Sequence, residues 1–263
     1  MPECESLTAG AGLIAIGLLL LYQCVRKGHE ARLAAGLEVS PCGRVQEGLL
    51  KITGQVASAA VISSPLMELP CVITQTEAAI FRKRASKKKW NKFFSATQNV
   101  PFYVEDSTGR LWVDPSEAEL FLLADVEFST EKKWKPKPKQ LTRFGEMELT
   151  GELLGQRLRL FYEQQTGQET RQQVMRFSEK NLMVGDSVTV LGPGYAVPPS
   201  EAGAGEIRIH RIHPDDPFVI GDGTPEELAS RMQKQVWWMR AAGYGCVAVG
   251  AAMVLSCYFE RGG

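Results

Sequence analysis

The chain has no net charge: 30 Lys and Arg are matched by 30 Asp and Glu. A protein that grips nucleic acid with its whole surface is strongly basic, so polyanion binding here requires a local concentration of cations. Histidine is scarce, at 3 in 263 residues, and the cysteines (Cys4, Cys24, Cys42, Cys71, Cys246 and Cys257) include no C-x-x-C pair. Zinc frameworks are built from such pairs, so no metal site and no cofactor is expected. Cys42 and Cys71 alone belong to the middle of the chain, where a disulfide or two free buried thiols both fit.

Nucleophile motifs are missing too. There is no G-x-S-x-G, and no cysteine pairs with a histidine and an orienting group. Asp106-Ser107-Thr108-Gly109 carries one residue too many for the aspartic-protease triplet and has no second copy to share a proton, so it reads as a turn. Gly192-Pro193-Gly194 and Gly203-Ala204-Gly205 do not lead into a capped helix with Lys or Gly at the place a phosphate loop needs. His210 and His213 have H-x-x-H spacing, but residues three apart on a strand face opposite sides, and they read as polar strand positions. No catalytic residue is expected. A hydrolase would need a buried nucleophile or paired carboxylates.

Long apolar runs are present, one at each end. Leu7 to Val25 and Ala241 to Phe259 contain no charge, and each is long enough as a helix to cross a hydrocarbon layer of about 30 Å. A cleaved signal peptide is the alternative for the first. Against it stand Glu3 and Glu5 in place of Lys or Arg, a long apolar run, and no prompt small-x-small cleavage site. The expected layout is a transmembrane helix at 7–25, a linker at 26–46, a β domain at 47–222, an amphipathic juxtamembrane helix at 224–240 and a second transmembrane helix at 241–259. Ala11 and Ala15 are expected to pack on Ala241 and Gly245 or on Ala248 and Ala252, small residues four apart. Thr224-Pro225-Glu226-Glu227 supplies an N-cap, a first-turn proline and a capping-box glutamate, and Trp237 and Trp238 suit the membrane interface.

The middle reads as short strands: Leu50 to Val56, Cys71 to Phe81, a hairpin from Phe102 to Val113, Arg157 to Phe161, Val188 to Leu191 and Ile207 to Ile212. Frequent turns between short strands predict a mainly β fold, an OB-like small barrel between two transmembrane helices. Lys132 to Lys139, with two prolines among lysines, and Pro198 to Gly205 read as connections.

Against the neutral average, Arg82, Lys83, Arg84, Lys87, Lys88, Lys89 and Lys92 crowd together with Phe81, Trp90, Phe93 and Phe94. Three functions fit: docking on anionic lipid headgroups, contact with an acidic protein partner, and single-stranded nucleic-acid binding by pairing and stacking, the least favoured. A solvated hairpin tip with core aromatics is the plain alternative. A homo-oligomer is a further option.

Gly54-Gln55-Val56, Cys71-Val72-Ile73, Lys89-Trp90-Asn91, Val100 to Val104 with Asp106 and Gly109, and Leu182 to Gly192, in that order, resemble the GIDE family, also called the Beside-A-Membrane domain. The resemblance covers roughly Gly36 to Phe259 and implies a helix across the membrane, a β-rich domain and a second membrane helix. Its best-known members are mitochondrial outer-membrane E3 ligases for ubiquitin and SUMO, which use a C-terminal RING with two zinc ions. The cysteines here have no RING spacing, so ligase activity is not implied and a RING-less relative, expected mainly in prokaryotes, is the reading. A degenerate ligase or ligase subunit is the alternative. The expected location is an integral two-pass position, in the cytoplasmic membrane of a prokaryote or a mitochondrial or other organelle membrane of a eukaryote. Charges flanking the spans place the middle in the cytoplasm, although the rule holds best for short loops. The mitochondrial relatives imply the opposite face.

Overall fold

A computed structural model of the protein describes residues 3–84, 87–130, 151–169, 174–197 and 207–262. It separates into two compact units. One joins the two chain ends, and the other runs from Val39 to Asp222.

The first unit is a pair of long helices, α1 (Glu3–Gly36) and a C-terminal helix, Pro225–Gly262, which becomes α3 in chain order. Both are long and apolar enough to cross a membrane. Only 17% of each apolar window is buried, whereas the core helix of a soluble protein is mostly buried. The stretch 26–36, expected as the start of a linker, continues α1 as helix. The N-terminal cap of α3 forms as read: Thr224 Oγ1 accepts from the Glu227 N–H, and the Glu227 carboxylate accepts from the Thr224 N–H, both at 3.3 Å.

The helices pack antiparallel along a face that the sequence reading missed. Cβ atoms on Gly10 and Gly17 would lie 3.0 and 2.8 Å from the carbonyl oxygens of Gly250 and Gly243, so hydrogen alone fits there. One repeat further on, Cys24 Sγ lies 3.5 Å from the Val236 carbonyl oxygen, and Ala31 and Ala229, both buried, continue the series. The positions recur every seven residues, the period of a left-handed pair. The expected residues Ala11, Ala15, Ala241, Gly245, Ala248 and Ala252 are all exposed. Glycine lets backbones approach closer than alanine does, so the glycine-bearing seven-residue stripe wins over the alanine-rich four-residue one.

The second unit is built on a five-stranded closed barrel. Its strands are β1 (Gly48–Ala57), β6 (Phe102–Asp106), β7 (Gly109–Val113), β11 (Ser187–Ala196) and β12 (Ile207–Ile209). They run in the order β1-β6-β7-β12-β11, and β11 returns to β1 over Gly48↔Gly194 to Gln55↔Ser187. The β7–β12 pair is parallel and its neighbours antiparallel, which is the OB-like arrangement. Alternation drives this: Ile52, Val104, Leu111, Val113, Val188 and Val190 point inward and fill the interior. Outside the ring, β13 (Val219–Asp222) pairs with β11 and with β8 (Glu119–Phe121).

Two long insertions leave the barrel and meet as a second sheet. From the β1–β6 connection come β2 (Ile62–Ser63), β3 (Pro70–Cys71), β4 (Ile73–Arg84) and β5 (Lys87–Asn99). From the β7–β11 connection come β9 (Val126–Ser129), helix α2 (Gly151–Thr166) and β10 (Met175–Leu182). The sheet order is β5-β4-β10-β9, and α2 packs on it through a separate core that includes Leu154, Leu158, Tyr162, Ile80, Met175 and Phe177.

The segment Arg157 to Phe161, expected as a strand, is therefore helix. Leu154, Leu158, Phe161 and Tyr162 recur at helical spacing and are buried, while Leu160, which gave the alternation, is exposed. The expected strand Ile207 to Ile212 stops at Ile209. The connections read at Lys132 to Lys139 and Pro198 to Gly205 lie outside the described residues.

Gly12, on the outer face of α1, has nothing within 4 Å of an added Cβ, whereas one on Gly17 meets Gly243 and Val247. Gly17→Leu is expected to destabilise the helix pair by about 1–3 kcal/mol and Gly12→Leu to leave it unchanged, read as thermal unfolding of the full chain in detergent.

Candidate functional site

The cationic run forms the end of the β4–β5 hairpin. Pairing runs from Ile73↔Asn99 to Arg84↔Lys87, and the last three rungs are Arg82↔Lys89, Lys83↔Lys88 and Arg84↔Lys87. Each sets a cation position opposite a cation position, a pairing that costs stability in a sheet. The seventh residue, Lys92, sits lower on the hairpin and forms an exposed ion pair with Glu77 at 2.7 Å. Exposed pairs of this kind contribute little stability, but Lys92 already has an anion to face.

The aromatics divide between two roles. Phe81 and Trp90 occupy opposed positions just below the tip with ring centroids 5.3 Å apart, and the Arg176 guanidinium lies 4.5 Å over the Trp90 ring. Arg176 thus joins the cationic end from β10. Sequence reading missed it because only the pairing of β10 with β4 (Arg176↔Ala79) brings it there. Phe93 and Phe94 are anchors. An irregularity opposite Ala78 and Ala79 leaves Phe93 as an extra residue, so Phe93 meets Tyr162 at 4.8 Å while Phe94 meets Phe161 at 4.7 Å, both edge-on. The bulge turns two consecutive rings toward α2 and fixes the hairpin on the helix.

The base of the hairpin is held by a buried carboxylate, Glu179 on β10, which has no exposure. Its oxygens accept from Ser64 Oγ (2.8 Å), the Leu66 N–H (3.0 Å) and Thr76 Oγ1 (3.1 Å), joining the 62–71 segment, β4 and β10. From α2, Arg157 donates to the carbonyl oxygens of Leu66 and Met67, clamping the same segment from the other side. Beside it, Asp125 accepts from the Asn181 N–H at 2.6 Å.

Cys42 and Cys71 are both free thiols and both buried, which settles the alternative left open by the sequence. Burial, and then the nearby carboxylates Glu179 and Asp125, push the Cys71 thiol up to about 12. Burial and then Asp106 do the same to Cys42, also to about 12. A thiol held so far above neutral pH is a poor nucleophile and metal ligand.

The Asp106-Ser107-Thr108-Gly109 turn closes the β6–β7 hairpin as expected. Burial acts to raise the Asp106 carboxyl, but hydrogen bonds from the Thr108 hydroxyl and from the N–H groups of Cys42, Thr108 and Gly109 outweigh it and bring it down to about 2. The carboxylate ties the 42–44 turn to the barrel. Gly192 and Gly194 lie within β11, where a Cβ would collide with Phe218 and Leu50 respectively, so they serve barrel packing. His210 follows β12 with its ring 5.4 Å from that of Tyr195, and His213 is exposed in the next turn. Among the described residues no three His, Cys, Asp or Glu side chains gather as a metal site.

Glu179→Ala would leave two hydroxyls, one backbone N–H and the Asn181 side-chain amide without their buried acceptor. A loss of about 3 kcal/mol or more is expected on urea unfolding, with a smaller loss for Glu179→Gln, which keeps an acceptor oxygen.

The geometry of a barrel between two long apolar helices agrees with the comparison with known families. The family model GIDE, described as E3 Ubiquitin ligase, matches residues 72–255, well over half of the chain. No curated protein and no solved structure matched in the corresponding comparisons. The matched region begins in the hairpin insertion and ends within α3, and so takes in most of the β unit and of the second apolar helix: the chain belongs to the GIDE family.

Proposed function

We propose that the chain is a two-pass membrane protein whose β unit docks on an anionic bilayer surface through the end of the β4–β5 hairpin and catalyses no reaction of its own. The three like-charged rungs carry this reading. Positions that repel one another are a poor choice for the hairpin's own stability and a good one for meeting a sheet of negative headgroups, each cation near the surface contributing about 1 kcal/mol. Trp90 beneath them suits the polar–apolar boundary.

The helix pair supports membrane anchoring. Trp237 and Trp238 near one end of the apolar stretch of α3, and Tyr258 and Phe259 near the other, are all more than half exposed. At 1.5 Å per residue the two aromatic levels are about 30 Å apart, the thickness of the hydrocarbon layer. The antiparallel register sets exposed Tyr22 of α1 level with Trp238.

The filled barrel interior supports a binding module over a hydrolase, since apolar side chains occupy the place where a substrate would enter. Family membership favours one second reading, a subunit that works with a ubiquitin ligase; co-purification of an E2-binding RING partner would support it.

The test is co-sedimentation of the Val39–Asp222 unit with vesicles. Binding to phosphatidylserine-containing vesicles should weaken with salt and fall at least about tenfold in the Lys87→Glu/Lys88→Glu/Lys89→Glu variant. Equal binding by that variant, or equal binding to neutral vesicles, contradicts the reading.

A further inference from the structure

The sheet that carries the docking end has two faces, and α2 covers one of them. Ala78 and Ile80 of β4 and Met175 and Phe177 of β10 belong to the core beneath α2. By alternation Glu77, Ala79 and Phe81 of β4 and Arg176 and Ser178 of β10 lie on the other face. Pairing extends these positions into rows across the sheet. Phe81 stands opposite Trp90, Ala79 lies between Arg176 and Lys92, and Glu77 lies between Ser95 and Ser178, with Glu127 next in the same row. Inward from the hairpin end come three cationic rungs, then an aromatic rung, then the row of Arg176 and Lys92, then the row of Glu77 and Glu127.

That change of sign bounds any contact with an anionic surface. Glu77 and Glu127 are exposed, and headgroups that attract the cations repel these carboxylates, so contact stops at the row of Arg176 and Lys92. The two cations of that row are held differently. Lys92 is paired with Glu77, whereas Arg176 is exposed with its guanidinium 4.5 Å over the Trp90 ring. Stacking occupies the flat face of a guanidinium and leaves its N–H donors at the edge, in one plane, arranged to meet two oxygens of one anion at once.

We propose that Arg176 is the specificity-determining residue of the docking end and that the headgroup it selects is a phosphomonoester. The hairpin leans on the bilayer with the face away from α2, which brings Trp90 and Arg176 to the surface together. An unsubstituted phosphate carries about 1.5 to 2 negative charges at neutral pH and has three terminal oxygens for the two-pronged donor. A diester headgroup such as that of phosphatidylserine offers two, beside a substituent. The lysines of the tip act as point charges and respond to surface potential alone. The inference rests on the docking proposed above and adds to it a choice of lipid.

The experiment is hydrogen exchange of the full-length protein in nanodiscs of neutral lipid, of lipid containing phosphatidylserine and of lipid containing phosphatidic acid, the last two adjusted to the same surface potential. Exchange at Arg82 to Lys92 should slow in both anionic lipids, and at least about threefold more in phosphatidic acid through the two-pronged contact. Arg176→Lys keeps the charge and removes the fork. It should erase the difference between the two anionic lipids while both still slow exchange relative to neutral lipid. Arg110→Lys makes the same change in a guanidinium stacked 4.7 Å over Tyr103 on the barrel, and should keep the difference. Each variant is compared with itself in neutral lipid, so a change in hairpin stability cancels. Equal slowing in the two anionic lipids before any substitution, or a preference for phosphatidic acid that survives Arg176→Lys, overturns the proposal. No slowing in either anionic lipid contradicts the docking itself and the inference with it, so the two failures are distinguishable.

Discussion

A carboxylate with no exposure to water, Glu179, ties together the parts of the β unit that the chain order keeps far apart. Ser64 and Leu66 reach it from the segment before β4, Thr76 from β4 itself, and the residue belongs to β10, more than a hundred positions later. Both insertions into the barrel are thus fastened at one point. Burying a charge is costly unless hydrogen bonds satisfy it, and here a backbone N–H, two hydroxyls and the Asn181 side-chain amide do so. Because the hairpin leaves the barrel just beside this point, the fastening is what makes β4–β5 an arm with a fixed base.

At the free end the logic reverses. Near the base, the groups bonded to the carboxylate are all donors; at the tip, cation positions are set opposite one another. That contrast between a locally consistent base and a self-repelling tip is the support for placing the proposed docking function at the tip. The helix pair shows the same division. The seven-residue stripe of Gly10, Gly17, Gly243 and Gly250 serves close packing, while the exposed faces carry Trp237, Trp238, Tyr258 and Tyr22, side chains that suit a boundary between oil and water.

The sequence made some of this legible and hid the rest for identifiable reasons. The apolar ends, the Thr224 cap, the β6–β7 hairpin with its Asp106 turn and the cationic run were readable because each signal is local. β5 was missed because its lysine-rich first half lacks apolar alternation, and the bulge at Phe93 breaks what period remains. Arg157 to Phe161 misled because two leucines two apart mimic a strand, while the helical partner Leu154 lies outside that window. The three residues of β12 owe their state to a parallel pairing with β7 that no local pattern encodes. The helix seam was misassigned because small residues at two spacings compete, and only the approach of the backbones decides between them. For the site, all seven cations were visible, but the register that opposes six of them, the Glu77 partner of Lys92 and the contribution of Arg176 arise from pairing alone.

Hydrogen exchange of the full-length protein in nanodiscs, compared between neutral and phosphatidylserine-containing lipid, tests the account where it is most exposed. Slower exchange confined to the amides of Arg82 to Lys92 in the anionic lipid, with β1 and β11 unchanged, is the predicted result. Equal exchange at the tip in both lipids, or protection that falls on the barrel strands instead, would contradict it.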